Sequence, residues 1–327
     1  MTASPTDLDA LWSRLAASGA GQRRFVSLRV DGAGALDVHA AIRCVDRSPC
    51  LLFDLPNPAS VGDVEFEVGG MRCARGATDD GQSIVLSLED GARRDLFATL
   101  AADLIAHAAD VPAKASLGSV MVRLDAWRLF LRSVAGGLGR NEIVGLIGEL
   151  RVLRELVEAD CNLLSTWQAP DDGIHDFENR GHALEVKATL GAGSRVIISR
   201  LDQLDDAGLE MLHLVHLRLY ETPQGESIDD IAMAIADQLP DDQMRRLLEN
   251  ALLRRGLSPD DRRARTGLRT ALQQTAAYRI FGSFPRIVRA DVPSAIPEVS
   301  YAVELAGAAE AVLTWPDVRS SFTDRAS

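Results

Sequence analysis

The chain has 327 residues, 46% of them hydrophobic and 25% charged, and carries a net charge of −12 at pH 7. Its length exceeds an ordinary single domain and its composition is globular, which excludes a disordered chain and leads us to expect two domains. The acidic balance excludes a uniform nucleic-acid coat, because such binding rests on neutralised phosphates, so any basic surface has to be local.

The first residues show no basic region followed by an apolar run, and no stretch approaches the length of a membrane span. The expectation is a cytoplasmic protein without a membrane partner. Cys44, Cys50, Cys73 and Cys161 form neither a CxxC pair nor a zinc-like spacing with the six histidines, so reduced thiols are expected. Only Lys114 and Lys187 are lysine, against 33 arginines. A GC-rich genome accounts for that bias, yet a retained lysine marks a position suited to a compact ammonium of tunable pKa.

In chain order, Leu8, Leu11, Trp12 and Leu15 predict a short amphipathic helix over 6–19. Five short runs of valine, leucine, isoleucine and phenylalanine follow, at 24–30, 36–43, 50–55, 64–68 and 83–88. Turn signals at Gly32 and Gly34, Pro56 to Pro58, Gly69-Gly70 and Asp79 to Gly81 separate them, predicting a small antiparallel β domain for docking or substrate recognition. Leu96, Leu100, Leu104 and Ile105 predict a helix over 92–109, with Pro112 soon after its end. Residues 120–134 read as a short strand or turn leading into a helix, broken at Gly136, Gly137 and Gly139. The domain junction falls between 110 and 140, and we divide the chain into 1–115 and 116–327.

A helix over 141–159 follows from the wide apolar face of Ile143, Val144, Leu146, Ile147, Leu150, Leu153, Leu156 and Val157. Glu149 sits in its middle beside Gly145 and Gly148. Glycine inside a helix costs about 0.8–1 kcal/mol relative to alanine, so two of them near a carboxylate suggest close approach by a backbone or a ligand. A solvated glutamate above packing notches is the competing reading.

Residues 173–189 read as two short strands joined around Asn179, Arg180 and Gly181. Side chains alternate faces along a strand, so Glu185 and Lys187 project together while Leu184, Val186 and Ala188 face the other way. A two-residue loop at Arg180-Gly181 sets Asp176 opposite Glu185 on the same face, and a one-residue slip loses it. Two carboxylates a few ångströms apart repel, and one protonates unless a divalent cation sits between them. Such oxygen donors suit Mg²⁺, and a neighbouring ammonium can activate or orient a water for phosphodiester hydrolysis.

Beyond this stretch, 195–199 reads as a strand, 199–204 as a helix entry or turn, and 211–220 as a buried strand. His213 and His216 fall on opposite faces of that strand, as packed residues rather than a metal pair. Helices are expected over 228–239 and 241–255, the second ending at Gly256. Eight arginines against three acidic residues lie between Arg245 and Arg269. Of these, Arg245, Arg246, Arg254, Arg255, Arg262 and Arg263 are candidate phosphate contacts, with a solvated helix face as the alternative. Tyr278, Phe281, Phe284, Arg286 and Arg289 fit the packing of a strand pair better than base stacking.

The ordered set Gly145-Leu146-Ile147-Gly148-Glu149-Leu150, Trp167, His175-Asp176-Phe177, Glu185-Val186-Lys187-Ala188-Thr189 and Gln203-Leu204 resembles the PD-(D/E)XK nuclease superfamily. It resembles more closely a family of such proteins encoded beside bacterial restriction and phage-defence genes, and the resemblance spans about residues 125–220 convincingly. The resemblance implies an αβββαβ core with a mixed sheet, in which Asp176 and Glu185 ligate Mg²⁺, with Mn²⁺ a possible substitute. Lys187 would assist the water, Glu149 would be a further metal ligand and Gln203 a polar residue beside the site. His175 stands where the motif name has proline. The expected protein is α+β, with an N-terminal antiparallel β-rich domain, a restriction-endonuclease-like αβββαβ core and a helical C-terminal extension. Its expected activity is that of a Mg²⁺-dependent deoxyribonuclease in restriction or phage defence, with DNA, other defence proteins and a second copy as partners. The alternative is an inactive accessory subunit of the same fold.

Overall fold

The computed structural model describes residues 4–18, 23–55, 64–79, 81–112, 116–133, 138–171 and 173–324, and the chain divides into two units, Met1–Ala135 and Gly136–Ser327. The turn expected at Pro56 to Pro58, the Gly136-Gly137 break, Asp80 and Lys114 lie outside the described residues.

In the first unit, β1 (Phe25–Arg29), β2 (Val38–Arg43), β3 (Pro49–Asp54), β4 (Phe66–Val68), β5 (Met71–Ala77) and β6 (Gln82–Leu88) form one antiparallel sheet in the order β1-β2-β3-β6-β5-β4. β5 was not among the expected strands. Its arginines and glycine hide the pattern, but Met71 and Cys73 alternate inward with exposed Arg72 between them, as a half-buried strand requires. Val38, Ala40, Ile42, Leu51, Phe53, Ile84 and Leu86 are buried on this sheet. In α1 (Pro5–Ala17) Trp12 stacks at 5.1 Å on Phe97 of α2 (Arg94–Ala109) and donates from Nε1 to the Cys50 carbonyl at 2.9 Å.

Of the stretch 120–134, expected to begin as a strand or turn, residues 120–133 belong instead to one helix, α3 (Ser116–Ser133). Arg123 and Trp127 both donate to the Asp103 carboxylate at 2.7 Å, which ties α3 to α2. For that reason α3 groups with the first unit, and the division falls at 135/136 where 115/116 was expected.

The second unit opens with α4 (Arg140–Ala159), followed by β7 (Phe177–Asn179), β8 (His182–Leu190), β9 (Arg195–Ile198), β10 (Met211–Glu226) and α5 (Ile228–Ala236). This follows the expected αβββαβ order only if the 3-10 turn Leu201–Leu204, in the crossover to β10, stands in the place of the second helix. Then come α6 (Asp242–Arg254), α7 (Arg262–Thr266), β11 (Thr270–Ile280), β12 (Tyr301–Glu304), β13 (Val312–Leu313) and α8 (Trp315–Thr323). The main sheet runs β13-β11-β10-β8-β7; β8 and β10 are parallel and its other pairs antiparallel.

Leu184, Val186, Val215, Leu217 and Ala277 point to one core with α4 and α5. Ala183, Leu212, Leu214 and Tyr278 point to a second core with Val196, Ile198, Val303 and Leu305. The strand pair expected within 270–301 is not formed, because β11 joins the main sheet and β12 pairs with β9. Tyr278 and Phe284 are buried against each other, while Phe281 is exposed. His213 bonds His182 at 2.7 Å and His216 bonds Thr189 at 2.9 Å, both as buried residues. Among the described residues no helix is long and apolar enough to cross a membrane.

Candidate active site

The site begins with a turn. Arg180 and Gly181 have φ of 47° and 84°, the left-handed pair that a two-residue hairpin loop needs to match the strand twist. The loop fixes the register Asn179↔His182, Glu178↔Ala183 and Phe177↔Leu184. Continued one position beyond β7, the same register sets Asp176 opposite Glu185, as the two-residue reading requires. Asp176 Oδ2 accepts the Val186 N–H at 2.7 Å, and its carbonyl accepts the Gln168 N–H at 2.8 Å. The preceding loop is held by Arg200, which donates to the carbonyls of Gly173 and Ile174 at 3.1 and 3.0 Å.

Glu185 and Lys187 share a face of β8, and Lys187 Nζ lies 2.7 Å from Glu185 Oε1. Glu149 comes from α4, which seats closely on the same strand: a Cβ on Gly148 would lie 2.7 Å from Cβ of Ala188. The close approach inferred from the mid-helix glycines is therefore met at Gly148, whereas nothing lies within 4 Å of a Cβ at Gly145. Glu149 is 3% exposed, so the solvated reading of this residue fails. Its Oε2 accepts from Trp167 Nε1 and from Arg255 Nε, each at 3.0 Å, and its Oε1 accepts from Arg255 Nη2 at 2.6 Å. This is a bidentate clamp.

Burial is the leading influence on the two hairpin carboxyls. It pushes Asp176 well above the usual carboxylate range, with Glu185 and Glu149 adding repulsion and Lys187 opposing. Burial also raises Glu185, against the pull of Lys187 and the His175 charge. For Lys187 burial works downward, but Glu185 and Asp176 outweigh it and the ammonium is held more firmly than usual. Arg255 is likewise raised, first by Glu149. Three carboxylates are thus concentrated beside two cations, and two of them are pressed toward protonation, which a divalent cation would relieve.

The donor set therefore fits a hard ion held by Asp176 and Glu185. The oxygens of Glu149, Asp176 and Glu185 do not all converge, however. Among the described residues the one group of three donor atoms within 4.8 Å of each other is Asp37, His39 and Asp54, in the first unit. Asp176 accepts from the Val186 N–H, Glu185 pairs with Lys187 and Glu149 with Arg255 and Trp167.

Gln203 Oε1 accepts from Ser199 N and Oγ at 2.9 and 3.1 Å and from Arg200 N at 3.3 Å. It closes the 3-10 turn, and its neighbour Arg200 is the residue that reaches the active-site loop. The arginine stretch is largely taken up inside the unit. Arg245 lies 2.8 Å from Asp242, Arg254 2.9 Å from Asp171 and Arg265 2.7 Å from Asp229, while Arg255 holds Glu149. Arg262 and Arg263 are exposed.

Sequence reasoning assigned Arg255 to a phosphate-binding surface and did not see it as a partner of Glu149. The available signal was its place just before Gly256, whose φ of 95° ends α6. A side chain at that point turns back toward whatever the helix end packs on.

Residues 8–306 match a protein-family profile described as "Putative PD-(D/E)XK family member, (DUF4420)". No curated protein and no solved structure matches.

Proposed function

Since the chain belongs to the PD-(D/E)XK family DUF4420, we propose that it is a metal-dependent endonuclease that hydrolyses DNA phosphodiester bonds in bacterial restriction or phage defence. The observation that supports this reading is the register of the hairpin, which ends at Phe177↔Leu184 and, continued by one position, sets Asp176 opposite Glu185, with Lys187 2.7 Å from Glu185. Asp176 and Glu185 would hold Mg²⁺, or Mn²⁺ in its place. Such an ion, when bound, polarises the phosphate and lowers the pKa of a water.

Lys187 keeps its proton in the free protein, because its carboxylate neighbours outweigh its burial. Its part is therefore to donate, orienting the attacking water and stabilising charge on the phosphate oxygens. A water O–P bond forms as the P–O ester bond breaks, leaving a phosphomonoester and an alcohol. Glu149, clamped by Arg255 and Trp167, acts from behind the pair as a fixed negative charge. Arg262 and Arg263 are the candidate contacts to backbone phosphate. A homodimer would supply two centres for the two strands.

A second reading, an inactive subunit that binds DNA or another defence protein, draws on one feature: Glu149, Asp176, Glu185 and Lys187 all have partners inside the protein. Purified full-length chain on supercoiled plasmid, with Mg²⁺ or Mn²⁺, separates the two. Cleavage is expected, abolished in D176N and E185Q and reduced by roughly 100-fold or more in K187A. No cleavage of DNA or RNA with either ion would leave the inactive subunit as the answer, and E185Q cutting as well as the parent would remove the hairpin centre from the reaction.

A further inference from the structure

The first unit holds a donor set that the nuclease reading does not use. Asp37 precedes β2 and Asp54 ends β3, and the two face each other across the antiparallel pair, with the Asp54 N–H on the Asp37 carbonyl at 3.0 Å. His39 lies two residues along β2, on the Asp37 face of the sheet. Its Nε2 is 3.3 Å from Asp37 Oδ1 and 3.4 Å from Asp54 Oδ2. That nitrogen is buried and yet makes no hydrogen bond.

The ring nitrogen stands within ion-pair reach of both carboxylates and is hydrogen-bonded to neither. It has the spacing of a metal site. Ligands about 2.0–2.1 Å from a tetrahedral zinc stand roughly 3.3 Å from one another.

The surroundings agree. Ser83 Oγ donates to Asp54 Oδ1 at 2.8 Å, fixing that carboxylate with its other oxygen toward His39, as outer hydrogen bonds orient metal ligands. Arg29 Nε pairs at 2.8 Å with the same Asp37 Oδ1 that faces His39, and both side chains are more than half exposed, so the pair is weak and a bound cation would displace it. Asp37 and Asp54 also line a cleft of about 290 Å³ with Leu36, Leu55, Thr78 and Gln82, which has room for a fourth ligand.

We infer that Asp37, His39 and Asp54 form a zinc site with three protein ligands and a fourth position open to this cleft. An imidazole with two carboxylates favours Zn²⁺ over Mg²⁺. The open position would take water or a small anion such as inorganic phosphate.

The test uses the full-length D176N/E185Q protein, so that it is independent of the hairpin centre. Zinc chloride alone is titrated by calorimetry, and Co²⁺ absorption reports the geometry. One Zn²⁺ per chain is expected, with tetrahedral Co²⁺ bands and no competition from Mg²⁺. H39Q and D54N each weaken uptake by about 100-fold, and S83A, which keeps all three ligands, by about 10-fold. Circular dichroism reports whether H39Q and D54N fold; where either does not, the S83A titration decides. No zinc uptake, uptake indifferent to H39Q and D54N in folded protein, or S83A binding like its parent would overturn the site. Loss of plasmid cleavage by D176N bears on the nuclease reading alone.

Discussion

The hairpin of β7 and β8 and the arginine stretch from Arg245 to Arg269 both stand out in the sequence as functional, and they differ in what holds them. In the hairpin, each side chain's direction follows from a period of two and a two-residue turn, so Asp176, Glu185 and Lys187 share a face through local geometry. In the arginine stretch, a residue's fate depends on partners distant in sequence. Arg255 and Glu149 are separated by 106 positions, and Arg265 and Asp229 by 36. Local periodicity can be read from one segment, whereas the partner of a long flexible cation cannot.

The largest effect expected from this contrast lies inside the arginine stretch. Removing Arg255 leaves the buried Glu149 carboxylate with Trp167 as its remaining donor. Breaking a buried pair by deleting one partner strands the other charge. In metal-free protein R255M should lose roughly 3 kcal/mol in urea unfolding, while R246M should stay within about 0.5 kcal/mol. Adding E149Q to R255M should recover most of the loss, since no stranded charge remains. Equal effects of R255M and R246M would mean that the whole stretch is a solvated face.

A smaller effect, opposite in sign, belongs to the hairpin. Burial raises the Asp176 carboxyl in the folded protein, so the folded state binds more protons than the unfolded state above the ordinary carboxylate pKa. Stability from this group is therefore greatest in acid and is lost as pH rises from the unfolded pKa of about 3.9 through the folded value. At pH 7 ionising the buried Asp176 carboxyl costs stability. D176N should accordingly be more stable than the parent by about 1 kcal/mol at pH 7 with chelator present, and the gain should shrink toward pH 4. A less stable D176N at pH 7 would show that Asp176 is held as a carboxylate by its Val186 hydrogen bond.

How much was legible follows the same division. The helix carrying Glu149 and the hairpin register could be read, because each rests on spacing within a few residues of chain, whereas the αβββαβ order was implied by the family resemblance. β5 escaped because its inward residues, Met71 and Cys73, are separated by arginine and followed by Arg75 and Gly76, which resemble a loop until the neighbouring strands provide a sheet. α3 was misread at its start because Trp127 and Arg123 reveal their direction through Asp103 on another helix. At the site itself, Trp167 was recognised without its role. Its indole N–H matters because Glu149, 18 residues earlier, has nowhere else to send that oxygen but Arg255.

The smallest expected change in stability comes from Arg262 and Arg263, which are exposed on α7. Their loss in R262A/R263A should alter stability by less than about 0.5 kcal/mol. If they contact phosphate, each releases a counterion on binding, and the slope of log affinity against log salt should flatten by about 0.9 per contact, or roughly 1.8 for the pair. The measurement needs uncut duplex, which the E185Q background provides. The same slope should be unchanged by R265A, since Arg265 is already bonded to Asp229 and to the Ser258 carbonyl. Flattening in R262A/R263A alone would divide the stretch into a binding part and a structural part. Equal flattening in both variants would mean that the internal pairs open on DNA, and that the carboxylates near these arginines serve as stand-ins for phosphate in the free protein.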